Sequence, residues 1–347
     1  MSKISLVVIA RNEERCIARC LQSAAPFVDQ MLVLDTGSTD RTREIARAQG
    51  AQVYTFTWVD DFAQARNRSL ELADSDWNLV LDADEWIESG GAALRDFITQ
   101  HSHAIGVVSQ RSTYLSDGRL LQGNTLVSRL LPRGVRYAGR VHEQPVSTLP
   151  RIATPLVLGH DGYESAQMER KKDRNLALLQ VEAAQDPDNA YVNYQLGKEL
   201  ELRKDYAQAC AYYERAWTHL PDSAGFAHPL AIGWLYCLGK SGRFAEALER
   251  GSAWMGQWQD SPDFFFVLGN LLLDKAIEAP EGDPLHWLDM ARSAWERCLE
   301  IGEQPQMSGA VLGRGSYLAA FNLALALEQL GQSEQAQALR SAYPMPA

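Results

Sequence analysis

The chain has 347 residues, 46% of them hydrophobic, with a formal net charge of −11 and no run of 18 apolar residues. That describes a globular polypeptide with room for two domains and no membrane span. Up to residue 165 there are 17 basic against 20 acidic residues, and beyond it 16 against 24. Nucleic acid and anionic membrane need a basic face, so this acidic balance disfavours both as main partners.

The N-terminal Met1-Ser2-Lys3-Ile4 enters a strand directly with no signal peptide ahead of it, and the expected location is the cytoplasm. Ile4 to Ile9 is a continuous apolar strand, and Ala10-Arg11-Asn12-Glu13-Glu14 is the turn that opens a helix running to about Ser23. Ile17, Cys20, Leu21 and Ala24 form its inward stripe, and Pro26 stops it. A second strand, Met31 to Leu34, ends at Asp35. In the following Thr36-Gly37-Ser38-Thr39-Asp40, Gly37 permits a tight turn, and Thr39 or Asp40 caps a helix from Arg41 to Gln49. Ala51 to Trp58 reads as a third strand and Phe62 to Ala73 as a third helix. The alternation predicts an α/β domain built on a doubly wound, mostly parallel sheet.

The fourth strand, Trp77 to Leu81, runs into Asp82-Ala83-Asp84-Glu85-Trp86, which places three carboxylates within four residues at a strand's end. Ligands of open α/β sheets gather at that carboxyl edge. Asp82 and Asp84 are spaced i, i+2, so on an extended backbone both leave the same face and can share one hard cation, Mg²⁺ or Mn²⁺, holding a diphosphate. Asp35, at the end of its own strand, is suited to accept hydrogen bonds from a uracil-like imide or a ribose hydroxyl. Ala10, Arg11 and Asn12 offer backbone groups at the same edge, and Arg66 is a candidate grip for the diphosphate.

Asp35-Thr-Gly-Ser-Thr-Asp40, Ala65-Arg66-Asn67 and Leu81-Asp82-Ala83-Asp84-Glu85, in this order and at these distances, resemble the family-2 glycosyltransferases of the GT-A fold. The similarity is to the bacterial branch whose strand ends in Asp-Ala-Asp-Glu, and it covers roughly residues 3–163. Many relatives carry a second acid where this chain has Thr36. The resemblance implies that Asp35 contacts the nucleotide, that Asp84 ligates the metal and that Asp82 reaches ribose or metal-bound water. It further implies a catalytic acid some sixty residues later and then a histidine completing the metal shell; Glu143 and His160 occupy those slots. His142, beside Glu143, is the rival for general base.

Beyond Glu85, Ala104 to Val108, Thr125 to Leu131 and Pro155 to Leu158 read as further strands, with a turn at Ser116-Asp117-Gly118. Arg129, Arg133, Arg136 and Arg140 have helical spacing, but Pro132 and Gly134 forbid a helix, so a loop cluster of arginines is expected. The five cysteines, Cys16, Cys20, Cys210, Cys237 and Cys298, show no CxxC and no close histidine, so neither a zinc site nor a disulfide framework is expected.

From about Glu169 the chain turns helical, which divides it into a transferase-like domain over residues 1–165 and an all-α domain over 166–347. Ala190 to Pro221 fits the tetratricopeptide pattern through Leu196, Gly197, Leu200, Ala209, Tyr213 and Ala216. Related units follow around Gly242 to Ala247, around Leu268-Gly269 with Ala291, Trp295 and Cys298, and around Leu323-Ala324 with Ala336. The third carries about ten extra residues at Glu281-Gly282-Asp283-Pro284. Such units stack into a solenoid that holds a peptide or another subunit.

The expected activity is inverting, metal-dependent transfer of a sugar from a UDP-linked or similar nucleotide-diphosphate donor. A peptide or protein acceptor, or a partner recognised by the repeats, is expected; a homo-oligomer is also open to them. A saccharide or lipid-linked acceptor is the alternative. A non-catalytic repeat scaffold with a degenerate transferase domain is the reading of another class, and the three acids at one edge speak against it.

Overall fold

The computed structural model describes residues 2–116, 119–160, 165–278 and 283–345. The turn expected at Asp117-Gly118, the segment Asp161-Gly162-Tyr163 that follows His160, and Glu281-Gly282 lie outside them. Contacts divide the chain into two compact units, Met1–Glu182 and Ala183–Ala347.

The first unit runs β1 (Ile4–Ala10), α1 (Ile17–Ala24), β2 (Gln30–Asp35), α2 (Thr42–Ala48), β3 (Gln52–Thr55), α3 (Phe62–Leu72), β4 (Trp77–Asp82) and β5 (Glu85–Ser89). It continues with α4 (Leu94–Gln100), β6 (Ile105–Ser116), β7 (Arg119–Pro132), β8 (Arg136–Ala138), β9 (Gln144–Val146) and β10 (Arg151–His160). The helix α5 (Ser165–Gln185) crosses from this unit into the next.

Eight strands form one sheet in the order β3-β2-β1-β4-β7-β6-β10-β5, and β8 pairs with β9 separately. The first four are parallel, as their alternation with helices requires. Every residue of β1 is buried, as expected of a strand covered on both faces. Leu6, Val8, Leu79 and Leu81 pack under α1, α2 and α4 on one face. Val7, Ile9 and Val80 meet Ala63, Ala65 and Leu70 of α3 on the other.

The second half of the sheet is mixed rather than parallel, because β7 runs antiparallel to both β4 and β6. This is the GT-A arrangement. Two differences from the sequence expectation matter for the site. The strand β5 directly follows the acidic turn and pairs antiparallel with β10, which is longer than the stretch Pro155 to Leu158. The arginines do not cluster: Arg129 points into the sheet's carboxyl edge, whereas Arg133 bonds the Ser75 carbonyl and pairs with Asp74. The intervening Pro132 and Gly134 separate a strand residue from turn residues, so helical spacing has no meaning there.

In the second unit, four helix pairs follow one another. They are α6 (Ala190–Leu202) with α7 (Tyr206–Thr218), α8 (Ala227–Lys240) with α9 (Phe244–Trp254), α10 (Pro262–Glu278) with α11 (Pro284–Ile301), and α12 (Tyr317–Gln329) with α13 (Ser333–Ala342). These are the four repeats expected from sequence. Each of the first two pairs packs an Ala of its second helix, Ala209 or Ala247, into a shared core with Trp234 and Tyr213. Trp254 joins that core beside Trp217, with ring centroids 4.5 Å apart, so it is a packing residue. The five cysteines are all buried and free.

The glycines at the helix crossings have a steric cause. A Cβ on Gly197 would lie 2.3 Å from the Tyr213 ring, and one on Gly269 would lie 2.6 Å from the Trp295 indole. Tyr213 has no room to yield, being fully buried with its hydroxyl donating to Glu201 at 2.5 Å. Gly197→Ala should therefore cost roughly 1–3 kcal/mol, the usual range for overpacking. Gly225→Ala, where the added methyl meets nothing within 4 Å, should leave the urea midpoint unchanged. Equal midpoints for the two variants would show that the Gly197 crossing is not close-packed.

Candidate active site

The site forms where β1, β2 and β4 end. Register pairs Ala10 with Asp35 and Ile9 with Asp82, so the two acids flank the end of β1 at one level. Asp35 is 1% exposed. Its Oδ1 accepts the backbone N–H groups of Gly37 and Ser38 at 3.2 and 3.1 Å, a turn made possible by Gly37 at φ +109°. Arg43 approaches to 3.9 Å.

The turn after β1 is tied to this loop through Asn12. In a left-handed conformation (φ 57°), Asn12 donates its N–H to Ser38 Oγ at 2.9 Å and accepts from Thr39 N at 2.8 Å. Thr36, where many relatives carry an acid, donates its N–H to the Ala10 carbonyl at 2.9 Å and its hydroxyl to the same oxygen at 3.2 Å. Neither cap candidate for α2 holds the N-cap position, which is Arg41; Asp40, one residue earlier, accepts from Thr42 N at 3.0 Å. Ala10 is buried at the foot of this loop pair and Arg11 is exposed on it.

Asp82 is held between two guanidinium groups. Arg66 Nη2 donates to Oδ1 at 2.5 Å and Arg129 Nη2 to Oδ2 at 2.6 Å. Burial pushes the Asp82 carboxyl up, but Arg129 and Arg66 outweigh it and hold the group well below the usual carboxylate range. Arg66 is not on a solvated helix face: it is 4% exposed, stands 5.5 Å over the Tyr137 ring, and carries a buried Nη1 with no hydrogen-bond partner among the described residues. Its Nε pairs with Glu143. Arg129 also bonds Glu85 at 2.7 Å, and Glu85 accepts from Asp82 N at 2.7 Å and from Gln110. Burial raises the Glu85 carboxyl.

Asp84 turns to a different partner. His160 Nε2 lies 3.6 Å from its Oδ2, while His160 Nδ1 is 3.0 Å from Ser112 Oγ. Burial lowers the imidazole pKa, but the Asp84 carboxylate outweighs it and raises the group above its ordinary value. Asp82 and Asp84 do not leave one extended strand together, because the chain leaves β4 after Asp82, and each Asp82 oxygen accepts from an arginine. Among the described residues no three His, Cys, Asp or Glu side chains converge in a metal-holding geometry. Asp84 and His160 do converge, and one carboxylate with one imidazole suits a cation that takes its other ligands from a diphosphate and water. Beside Asp84 a cavity of about 220 Å³ is lined by Arg15, Cys16, Arg19, Glu85 and Trp86.

Glu143 and His142 lie in the hairpin between β8 and β9. His142 is not on extended backbone: its φ of 52° is left-handed, so an alternation of side chains to opposite faces does not apply. The hairpin is anchored by Asn67, whose Nδ2 donates to the Tyr137 carbonyl at 2.9 Å and whose Oδ1 accepts Tyr137 N at 2.8 Å. Asn67, Tyr137, Arg129 and Glu85 are the site residues that sequence reasoning did not assign. The adjacency of Arg66 and Asn67 on α3 was the available signal for the first of them.

Residues 5–139 match the profile of the family described as Glycosyl transferase family 2. A TPR repeat-containing protein of Synechococcus elongatus is 33% identical over 214 residues, covering 57% of this chain and 52% of that protein. The SPbeta prophage-derived glycosyltransferase SunS of Bacillus subtilis is 26% identical over 223 residues, covering 61% and 53%. The chain spans about half the length of these relatives. A crystal structure of glucosyl-3-phosphoglycerate synthase from Mycobacterium tuberculosis with Mn²⁺ and UDP aligns over 32% of this chain and 44% of that one, at 27% identity and a TM-score of 0.27. The match to glycosyl transferase family 2 over residues 5–139 falls on the sheet that carries Asp35, Arg66, Asp82 and Asp84, and the chain continues into a helical tetratricopeptide-like region.

Proposed function

We propose that the chain is a metal-dependent, inverting glycosyltransferase that moves a sugar from a nucleotide-diphosphate donor, uridine-linked, to an acceptor on a peptide or protein. The observation that carries this reading is the convergence of three acids at one carboxyl edge in three environments. Asp35 sits in a cradle of backbone N–H groups, Asp82 between two guanidiniums, and Asp84 against an imidazole. Asp35 and the loop tied by Asn12 take the base and ribose. Asp84 and His160 hold the cation, Mn²⁺ or Mg²⁺, and when bound it supplies Lewis-acid stabilisation of charge on the leaving diphosphate.

Arg66, and through it Asp82, fixes the position of Glu143. Inversion requires a group that takes the acceptor's proton on the side of the sugar opposite the diphosphate. Glu143 is the carboxylate we assign to that role: it lies in the hairpin between β8 and β9, held by Arg66, away from the Asp84–His160 pair proposed for the cation. The repeats support a polypeptide acceptor, as does the combination of a glycosyltransferase relative with a TPR repeat-containing one. The absence of any helix long and apolar enough to cross a membrane, among the described residues, is compatible with an acceptor met away from lipid.

Asp84→Ala should remove the Mn²⁺-dependent part of UDP affinity while leaving the thermal midpoint close to that of the parent; calorimetric titration with and without Mn²⁺ measures both halves. An unchanged metal-dependent increment would refute the ligand assignment. Glu143→Gln should bind donor normally and lose roughly 10²–10⁴-fold in kcat. His142→Ala inactive with Glu143→Gln near parent would transfer the role to the histidine. Ending the chain at the close of α5 should raise the acceptor KM far more than the donor KM, and equal effects on both would assign the repeats a purely structural part.

A further inference from the structure

The pairing of β5 with β10 decides where His160 lies. Val157 faces Ser89, Leu158 faces Ile87, Gly159 faces Trp86 and His160 faces Glu85, with a shift in register between the first two pairs. One residue of β5, Glu88, has no counterpart, which makes this a bulge. A one-residue slip in a ladder turns every later side chain to the other face, so the bulge selects the face on which His160 meets Asp84.

The pairing is locked beside His160 by an indole. A Cβ on Gly159 would lie 2.2 Å from Cε2 and Cζ2 of Trp86 and 2.7 Å from its Nε1, so the ring occupies the space of any side chain at that position. From α1, Arg19 brings its Cζ to 3.2 Å from the Trp86 ring centroid, a close cation–π contact. At the far end of the ribbon, Gly90 at φ +80° lets the backbone pass Pro155, whose carbonyl oxygen would be 2.1 Å from a Cβ there. The ribbon is thus pinned at both ends. Trp86 stands two residues after Asp84, and Gly159 stands immediately before His160.

Two ligands about 2.1 Å from one cation and at right angles are about 3 Å apart. Asp84 Oδ2 and His160 Nε2, at 3.6 Å, are within a small adjustment of that spacing although one comes from the turn between β4 and β5 and the other from β10. We infer that Trp86, clamped between Arg19 and Gly159, is a positioning residue that sets the Asp84–His160 separation for a divalent cation. The inference rests on the reading of Asp84 and His160 as the cation ligands and adds the residues that hold them in place.

The test is Mn²⁺ titration of the full chain in the presence of UDP, followed by the electron paramagnetic resonance of free Mn²⁺. Metal-free UDP affinity and thermal melting are measured alongside. Gly159→Ala and Trp86→Ala should weaken Mn²⁺ binding 10- to 100-fold, the usual effect of losing support behind a metal ligand. Metal-free UDP affinity, which depends on the Asp35 loop, should stay unchanged, and Trp86→Phe, which keeps an aromatic face for Arg19, should recover most of the loss. Should Gly159→Ala fail to fold, Arg19→Gln on the exposed side of α1 carries the same test with a few-fold expected weakening. A parent chain that binds Mn²⁺ alongside variants that bind it equally well overturns the clamp alone. Loss of metal-free UDP affinity in step with Mn²⁺ affinity does the same, by showing a general folding role. A parent chain that takes up no Mn²⁺ with UDP overturns the cation site and the clamp with it.

Discussion

The structure of the site depends on one carboxylate. Asp82 is the shared anion of Arg66 and Arg129, two guanidiniums that are 4% and 8% exposed. Taking such cations out of water costs several kcal/mol each, and the cost is met only where a well-placed carboxylate accepts their hydrogen bonds. Through Arg66 the helix α3 and the hairpin of β8 and β9 are drawn to the end of β4, since the same side chain pairs with Glu143. Through Arg129 the antiparallel strand β7 is fixed against the turn that carries Glu85. Removing Asp82 would leave two buried charges competing for Glu85 and Glu143, so its loss would spread to every element that meets at the edge.

That arrangement also explains why three nearby acids do not compete for one task. Asp35 is satisfied by backbone N–H groups from the turn that follows it, a solution available only because Gly37 adopts a left-handed conformation. Asp82 is satisfied by guanidiniums and is held ionised by them. Asp84 has an imidazole for a neighbour, His160, which accepts a proton or a metal according to conditions. The three acids thus differ in surroundings, which is the basis for proposing different tasks for them.

Much of this was legible from residues in order. The strands before Asp35 and Asp82 were plain because continuous apolar runs in a βαβ alternation have few other readings, and the first and last repeats were plain while the middle two were degenerate in sequence, although Gly269 meets Trp295 as Gly197 meets Tyr213. What was not legible depended on pairing across long sequence separations. Asp82 and Asp84 read as a single cation site from their spacing, but the backbone leaves the strand between them and their partners arrive from residues 66, 129 and 160. The arginine cluster failed for the related reason that residues 129 and 133 belong to different local structures. Glu143 next to Arg66 could not be foreseen, because the contact joins residues 77 apart and is made by Asn67 and Tyr137 holding a short hairpin in place.

The same distinction divides the site physically. The end proposed for the nucleotide is built from neighbouring βα units, with the bonds from Asn12 to Ser38 and Thr39 spanning 26 and 27 residues. The end proposed for the cation and the base is closed by contacts over much longer stretches, through β4 with β7, β5 with β10 and Arg66 with Glu143. Longer loops cost more entropy to close, although only slowly with length, so the second group forms only when the packing around it is already favourable. The devices found there are correspondingly rigid: a bulge that sets register, a glycine filled by an indole, and a guanidinium bonded on two sides. A site whose donor half is local and whose catalytic half is held from a distance can lose the geometry of the second while keeping the first, which is why separate measurements of nucleotide and metal binding resolve its parts.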